Sequence, residues 1–251
     1  MPRFVLRLGV SWTYAQGRIA AGENLYQVVP GPYIDLDEDL AINSGSFSDH
    51  LLYEVEADWT FLSQNRLGVR LWEGKMRSEA TMKRDFHYDD LDFSAGQHVP
   101  TLLHTAQLDI LYDRRIVERA GVTVWGGAGI RYSYFNTGPD LLGSREDTYA
   151  LMPALHAEVW VPLRGNLRWD SDVTACFFAL GGLLEQPADG SSYSIASRIG
   201  WRFHSRMGLD AGLRYLNARQ RYAGEEPDHD FGDNRVEAQF LSPIIQFVVF
   251  L

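Results

Sequence analysis

Ten stretches of this chain alternate apolar and polar residues with a period of two, several over 12 or more residues. That period is the pitch of a β-strand, whose successive side chains point to opposite faces. In the first stretch Phe4, Leu6, Leu8, Val10, Trp12 and Tyr14 share a face, and Arg3, Val5, Arg7, Gly9, Ser11 and Thr13 share the other. The same division recurs at Tyr53 to Phe61, Leu67 to Trp72, Thr105 to Asp113 and Val122 to Tyr134. It continues at Leu151 to Val161, Leu167 to Phe177, Tyr193 to Phe203, Leu209 to Tyr215 and Leu241 to Leu251. The apolar face carries no charge in the middle of any stretch; Glu73 continues that phase only at the end of its stretch, at a level expected beyond hydrocarbon. The polar face mixes glycine with arginine and carboxylate, as a narrow lumen requires. Globular strands average five or six residues, so segments of this length favour a wall that crosses a bilayer over one that covers a soluble core.

The connections alternate as well. Short ones are read at Ser63-Gln64-Asn65, Asp113 to Ala120, Arg164-Gly165-Asn166 and His204-Ser205-Arg206, and long ones near 21–47, 81–98, 136–148, 181–190 and 223–235. Five long loops and four short turns close on ten strands with both termini at the short-turn end. The sequence therefore predicts one all-β domain over residues 1–251, a closed antiparallel up-and-down transmembrane barrel of about 10 strands, with 8 or 12 as alternatives. An extra hairpin around Tyr33 to Ile42 is one way to reach the larger count. Phe4, Phe61, Tyr112, Trp169, Trp201, Phe203 and Phe247 fall near the short turns, and Tyr14, Tyr134, Tyr149, Tyr193 and Tyr215 toward the long loops, as two interfacial girdles would.

Composition is consistent with this reading and excludes little else. Mean hydropathy is -0.21, because alternation averages to neutrality, and no stretch is apolar enough for a spanning helix. The formal charge of -10 speaks against nucleic acid. Only Lys75 and Lys83 are lysines, so nearly all positive charge is arginine, suited to paired networks. Cys176 is the sole cysteine, which rules out an internal disulfide. Met1-Pro2-Arg3 leads straight into a strand pattern, and the expectation is a mature outer-membrane chain whose signal peptide has been removed.

Several segments resemble a group of bacterial outer-membrane β-barrel proteins without an assigned activity. They are Ile34-Asp35-Leu36-Asp37-Glu38-Asp39-Leu40, Arg66-Leu67-Gly68-Val69-Arg70, Phe93-Ser94-Ala95-Gly96, Gly200-Trp201-Arg202-Phe203 and Met207 to Tyr215, in that order. The resemblance implies location rather than activity. The alternating Phe247, Val249 and Leu251 resemble the C-terminal signal by which barrels engage their assembly machinery, with Leu251 where an aromatic is usual. The ten-strand layout also resembles the omptin proteases, whose loop carboxylates find candidate counterparts in Asp89, Asp90, Asp92 and Asp228-His229-Asp230, without matching context.

The candidate site is the lumenal polar network: Arg7, Glu54, Glu56, Asp58, Arg70, Asp109, Arg131, His156, Glu158, Arg168, Asp170, Asp172, Arg198, Arg202, Asp210 and Arg214. Near-balanced charge predicts a salt-bridged plug or, less readily, a narrow polar conduit. His156 and Glu158 could form a base with its orienting carboxylate, but no serine nucleophile accompanies them. Asp35, Asp37 and Asp39 alternate, yet lack the glycine and terminal Glu of a calcium loop. No cofactor, metal or catalytic constellation is expected. The expected function is non-enzymatic: a structural or surface-loop role, or a low-conductance pore. An outer-membrane enzyme acting on lipid A or peptides is the alternative. The expected partners are the bilayer, lipopolysaccharide and the assembly machinery, with a monomer favoured.

Overall fold

The computed structural model describes residues 4–21, 34–35, 51–81, 86–88, 91–139, 146–177, 188–222 and 234–251. The described residues contain strands and turns and no helix. The strands are β1 (Phe4–Trp12), β2 (Tyr14–Ala21), β3 (Ile34–Asp35), β4 (Leu51–Phe61), β5 (Asn65–Thr81), β6 (Phe86–Tyr88), β7 (Leu91–Phe93), β8 (His98–Arg119), β9 (Val122–Pro139), β10 (Glu146–Pro162), β11 (Leu167–Cys176), β12 (Ala188–His204), β13 (Met207–Tyr222) and β14 (Asn234–Phe250). Every pairing is antiparallel. β1 and β2 are one stave interrupted at Thr13. β1 pairs with β4 on one side and β14 on the other, and β2 continues along β14. Counted so, ten staves follow one another in chain order and the last closes on the first. Phe4 and Leu251 exchange backbone hydrogen bonds of 3.0 and 2.9 Å, which puts both ends of the chain at the short-turn rim.

The expected barrel is thus observed at ten staves, and two small additions lie at its long-loop end. β3 adds Ile34 and Asp35 beside Ala21 and Ala20, and β6–β7 is a separate short hairpin. One connection differs from the sequence reading. Asp113 to Ala120 is not a turn: β8 and β9 stay paired to Arg119 and Val122. Ala120 and Gly121 alone reverse the chain, with φ of 51° and 82°. Positive φ at both central residues is the hairpin geometry that matches strand twist, and glycine adopts it at no steric cost.

The alternation sorts by face as written. Leu8, Tyr53, Val55, Leu71, Ile110, Ile130, Ile195, Ile199, Leu213 and Ile245 point outward and stay exposed. Beyond them the outer face carries two aromatic levels. Trp59 and Phe61, and Trp201 and Phe203, lie with ring centroids 5.1 and 5.5 Å apart near the short turns; Tyr134 and Tyr149, and Tyr193 and Tyr215, lie 6.0 and 5.8 Å apart toward the loops. Glu73 also points outward, where its carboxylate meets the His104 ring at 3.1 Å, and exposed Lys75 and Arg77 follow it along β5 toward the long-loop end.

The interior is layered rather than uniformly polar, which corrects the sequence expectation. On the long-loop half, Leu52, Trp72, Met76, Leu103, Phe135, Leu216 and Phe240 meet across the lumen; Leu111, Met152 and Cys176 form a second patch, level with Arg131. Trp72 sets its edge against Phe240 at 5.2 Å. At the short-turn end Val5, Val248 and Phe250 form a smaller apolar floor. Between these layers lies the charged belt.

Candidate functional site

The belt is built because each stave offers its polar residues to the lumen at every second position, and arginine is long enough to reach several strands away. Arg7 on β1 donates to Asp58 on β4 at 2.8 Å and to Asp210 on β13 at 3.3 Å. Arg198 on β12 donates to both Glu56 oxygens at 2.8 and 2.9 Å, to Asp170 at 2.7 Å and to Asp172. Arg214 reaches Glu54 and Glu56 at 2.9 and 2.7 Å. Arg70 donates to Asp172 at 2.8 Å, and Arg168 to Asp210 at 2.7 Å. Arg131 takes Asp109 in a two-pronged grip of 2.6 and 2.7 Å and adds Ser192 and Ser194. Such planar, paired geometry is what lets a buried charge persist.

The space for these long side chains comes from the glycines that share their face. A Cβ on Gly200 would stand 2.5 Å from the Asp210 carboxylate and 2.8 Å from Arg168 Nε. The Arg168–Asp210 pair therefore lies directly over that glycine.

Fifteen of the sixteen residues read into the network are in it, and Arg202 is not. Arg202 is exposed at the rim, where β12 and β13 slip register between Trp201 and His204. It bonds carbonyls of its own turn, those of His204 and Ser205, and rests 4.5 Å over the Phe250 ring. It keeps the lumenal parity but stands beyond the apolar floor, over Phe250, rather than among the belt's carboxylates. The His156–Glu158 pairing is also redrawn. His156 Nδ1 meets Asp113 at 2.8 Å, while Glu158 accepts from the Trp160 indole at 2.5 Å and pairs with Arg66.

Two members escaped the reading. Arg66 is fully enclosed and donates to Asp113 at 2.7 Å. Its guanidinium stacks 4.8 Å from the Trp125 ring centroid. Both residues share the lumenal parity of Gly68 and Asp109, but in sequence they border the short turns, where parity alone does not mark the lumen. With Arg66 and Asp113 included, seven guanidiniums (Arg7, Arg66, Arg70, Arg131, Arg168, Arg198, Arg214) face nine carboxylates (Glu54, Glu56, Asp58, Asp109, Asp113, Glu158, Asp170, Asp172, Asp210). The belt thus has two more carboxyl groups than guanidiniums before His156 is counted.

The contacts converge on the seam where first and last staves meet. Gln246 on β14 donates to Glu54 at 3.0 Å and to Glu56 at 3.3 Å, both on β4 across β1. Arg7–Asp210, Arg198–Glu56 and Arg214–Glu54 span the same seam. A cavity of about 30 Å³ remains between the belt and the apolar layer, lined by Arg70, Trp72, Gln107, Asp109, Arg131 and Arg214 among others. That is room for about one water molecule. Among the described residues no cluster of His, Cys, Asp and Glu is arranged to hold a metal. Asp37, Asp39, Asp89, Asp90, Asp228, His229 and Asp230 lie outside the described residues.

No family model matches the chain, and no curated protein matches it. Solved structures do. The outer membrane protein AlkL, solved in DMPC bilayers, is 13% identical with a TM-score of 0.42, over 100% of this chain and 92% of that one. The outer membrane protein OprG from Pseudomonas aeruginosa is 8% identical with a TM-score of 0.39, over 99% and 96%. Ail, the attachment invasion locus protein of Yersinia pestis, is 10% identical with a TM-score of 0.31, over 97% of each chain.

Proposed function

We propose that this chain is an integral barrel of the bacterial outer membrane with a shut lumen and a non-enzymatic role, either structural or through the segments joining its strands at the long-loop end. The charged belt carries this reading. Its arginines and carboxylates are bonded to one another across the lumen rather than lining a water column, and an apolar layer stands above them. An ion entering from the long-loop side would first cross Trp72, Leu216 and Phe240, then displace a paired guanidinium. The outer face supports the bilayer assignment: a continuous apolar band lies between two aromatic levels, the arrangement that lipid demands and water penalises. In this reading the partners are the bilayer, lipopolysaccharide and the barrel-assembly machinery, and the working unit is the monomer.

Planar-bilayer recording of the refolded protein tests this, with heat-modifiable gel migration as the folding control. The expected result is a folded barrel without conductance steps. Steady, ion-selective steps from the wild-type protein would overturn the shut-lumen reading in favour of a narrow pore.

A further inference from the structure

The exposed charge of the short-turn rim is mostly arginine. Arg114 and Arg119 on the β8–β9 hairpin, Arg164 in the β10–β11 turn and Arg206 in the β12–β13 turn are exposed. None of the four makes an ion pair among the described residues. The exposed carboxylate described in these turns, Glu118, is held by Arg115 at 2.5 Å. The four arginines come from three different hairpins, so they are spread around the rim rather than gathered on one strand.

They do not stand alone. Leu62 and Ile116 are 80% and 67% exposed at the same end, and Leu163 is 42% exposed beside Arg164. Just inside lie Trp59, Phe61, Tyr112, Trp169, Trp201 and Phe203 of the lower aromatic level. A turn bathed in water has no use for an exposed leucine at its tip. A turn dipping into the headgroup layer does: the leucine reaches the acyl boundary, the arginine stem lies along apolar surface, and the guanidinium stays at phosphate level. A guanidinium fork matches a phosphate with two parallel hydrogen bonds.

We propose that the short-turn rim is a binding surface for anionic phospholipid headgroups, with Arg114, Arg119, Arg164 and Arg206 pairing with phosphates of the leaflet on that side. This rests on the reading that the apolar exterior faces lipid. A soluble acidic partner could meet the same arginines, but it would leave Leu62, Ile116 and Leu163 without an apolar counterpart, which is why lipid is favoured.

The test is electron spin resonance of the refolded barrel in phosphatidylcholine bilayers, with spin-labelled phosphatidylglycerol or phosphatidylcholine as probe. Wild-type protein should immobilise the glycerol lipid over the choline lipid by about threefold or more at low salt, and the preference should collapse near 1 M salt, where screening acts within about 3 Å. The Arg114→Gln, Arg119→Gln, Arg164→Gln, Arg206→Gln variant should lose most of the preference. Lys75→Gln, Arg77→Gln, a change at the opposite rim, should keep it. Equal association of both probes with the wild type would overturn the proposal without any variant. So would an unchanged preference in the four-arginine variant, or its loss in the Lys75, Arg77 variant. Absence of any immobilised lipid would instead refute the bilayer reading on which the proposal rests.

Discussion

Arg198→Ala tests the belt at its most connected point. The side chain is 1% exposed and bonds Glu56, Asp170 and Asp172 at once. Removal does not strand all three equally. Asp172 keeps Arg70 at 2.8 Å and Glu56 keeps Arg214 at 2.7 Å, while Asp170 is left with Arg168 at 3.4 Å. Breaking a buried pair from one side costs about 3–5 kcal/mol, because the remaining charge is uncompensated. With two of the three acids still partnered, the lower end applies, about 3 kcal/mol. Adding Asp170→Asn removes the carboxylate left worst off and should return about 1–2 kcal/mol of that loss. Urea unfolding of the lipid-inserted barrel, followed by tryptophan fluorescence and heat-modifiable migration, gives both numbers. A loss below about 1 kcal/mol, or a double variant less stable than Arg198→Ala alone, would refute the account of the belt as mutually dependent charges.

Two further outcomes follow from the same structure. Ile199→Arg, which replaces an outward residue 55% exposed beside Arg198, should cost about 2–4 kcal/mol of folding into lipid if that level is the bilayer midplane; the same urea titration measures it, and a negligible change would contradict the assignment of the outer face. Gly200→Ala would set a methyl 2.5 Å from Asp210 and should cost about 1–3 kcal/mol by pushing the Arg168–Asp210 pair aside, read as a lowered urea midpoint; wild-type stability would mean the pair has slack.

The wall of the barrel was legible in the sequence because its physics is local. Whether a residue faces out or in is fixed by parity, so Leu8 and Arg7 declare their sides before any contact is known. The layering of the interior was not read, yet it leaves a trace. Where the lumen is apolar both faces are apolar, and the alternation collapses into doublets: Leu51-Leu52, Leu71-Trp72, Tyr134-Phe135, Tyr215-Leu216 and Phe240-Leu241. These doublets read as noise on the outer pattern when they report a second surface. Pairing was beyond reach for a different reason. Glu56 and Arg198 are 142 positions apart, and only barrel closure and strand stagger decide that they meet. The absence of Arg202 from the network has a similar origin, since the floor it stands beyond is made by Val5, Val248 and Phe250 from two different strands.

The bonds across the seam bear on how such a wall can be assembled. Glu54 and Glu56 on β4 are neutralised largely by Arg198 and Arg214 and accept hydrogen bonds from Gln246, and all three partners belong to the last three staves of the chain. A sheet that entered hydrocarbon before its final staves were in place would leave Glu54 unpaired and Glu56 with Arg7 at 3.6 Å, alongside an unpaired strand edge. Hydrocarbon would reject both. Zipping the seam therefore removes two penalties in one event, and a half-made barrel has no comfortable resting place in the membrane. The chain is committed to completing its cylinder either in contact with water or in the same movement that takes it into the bilayer.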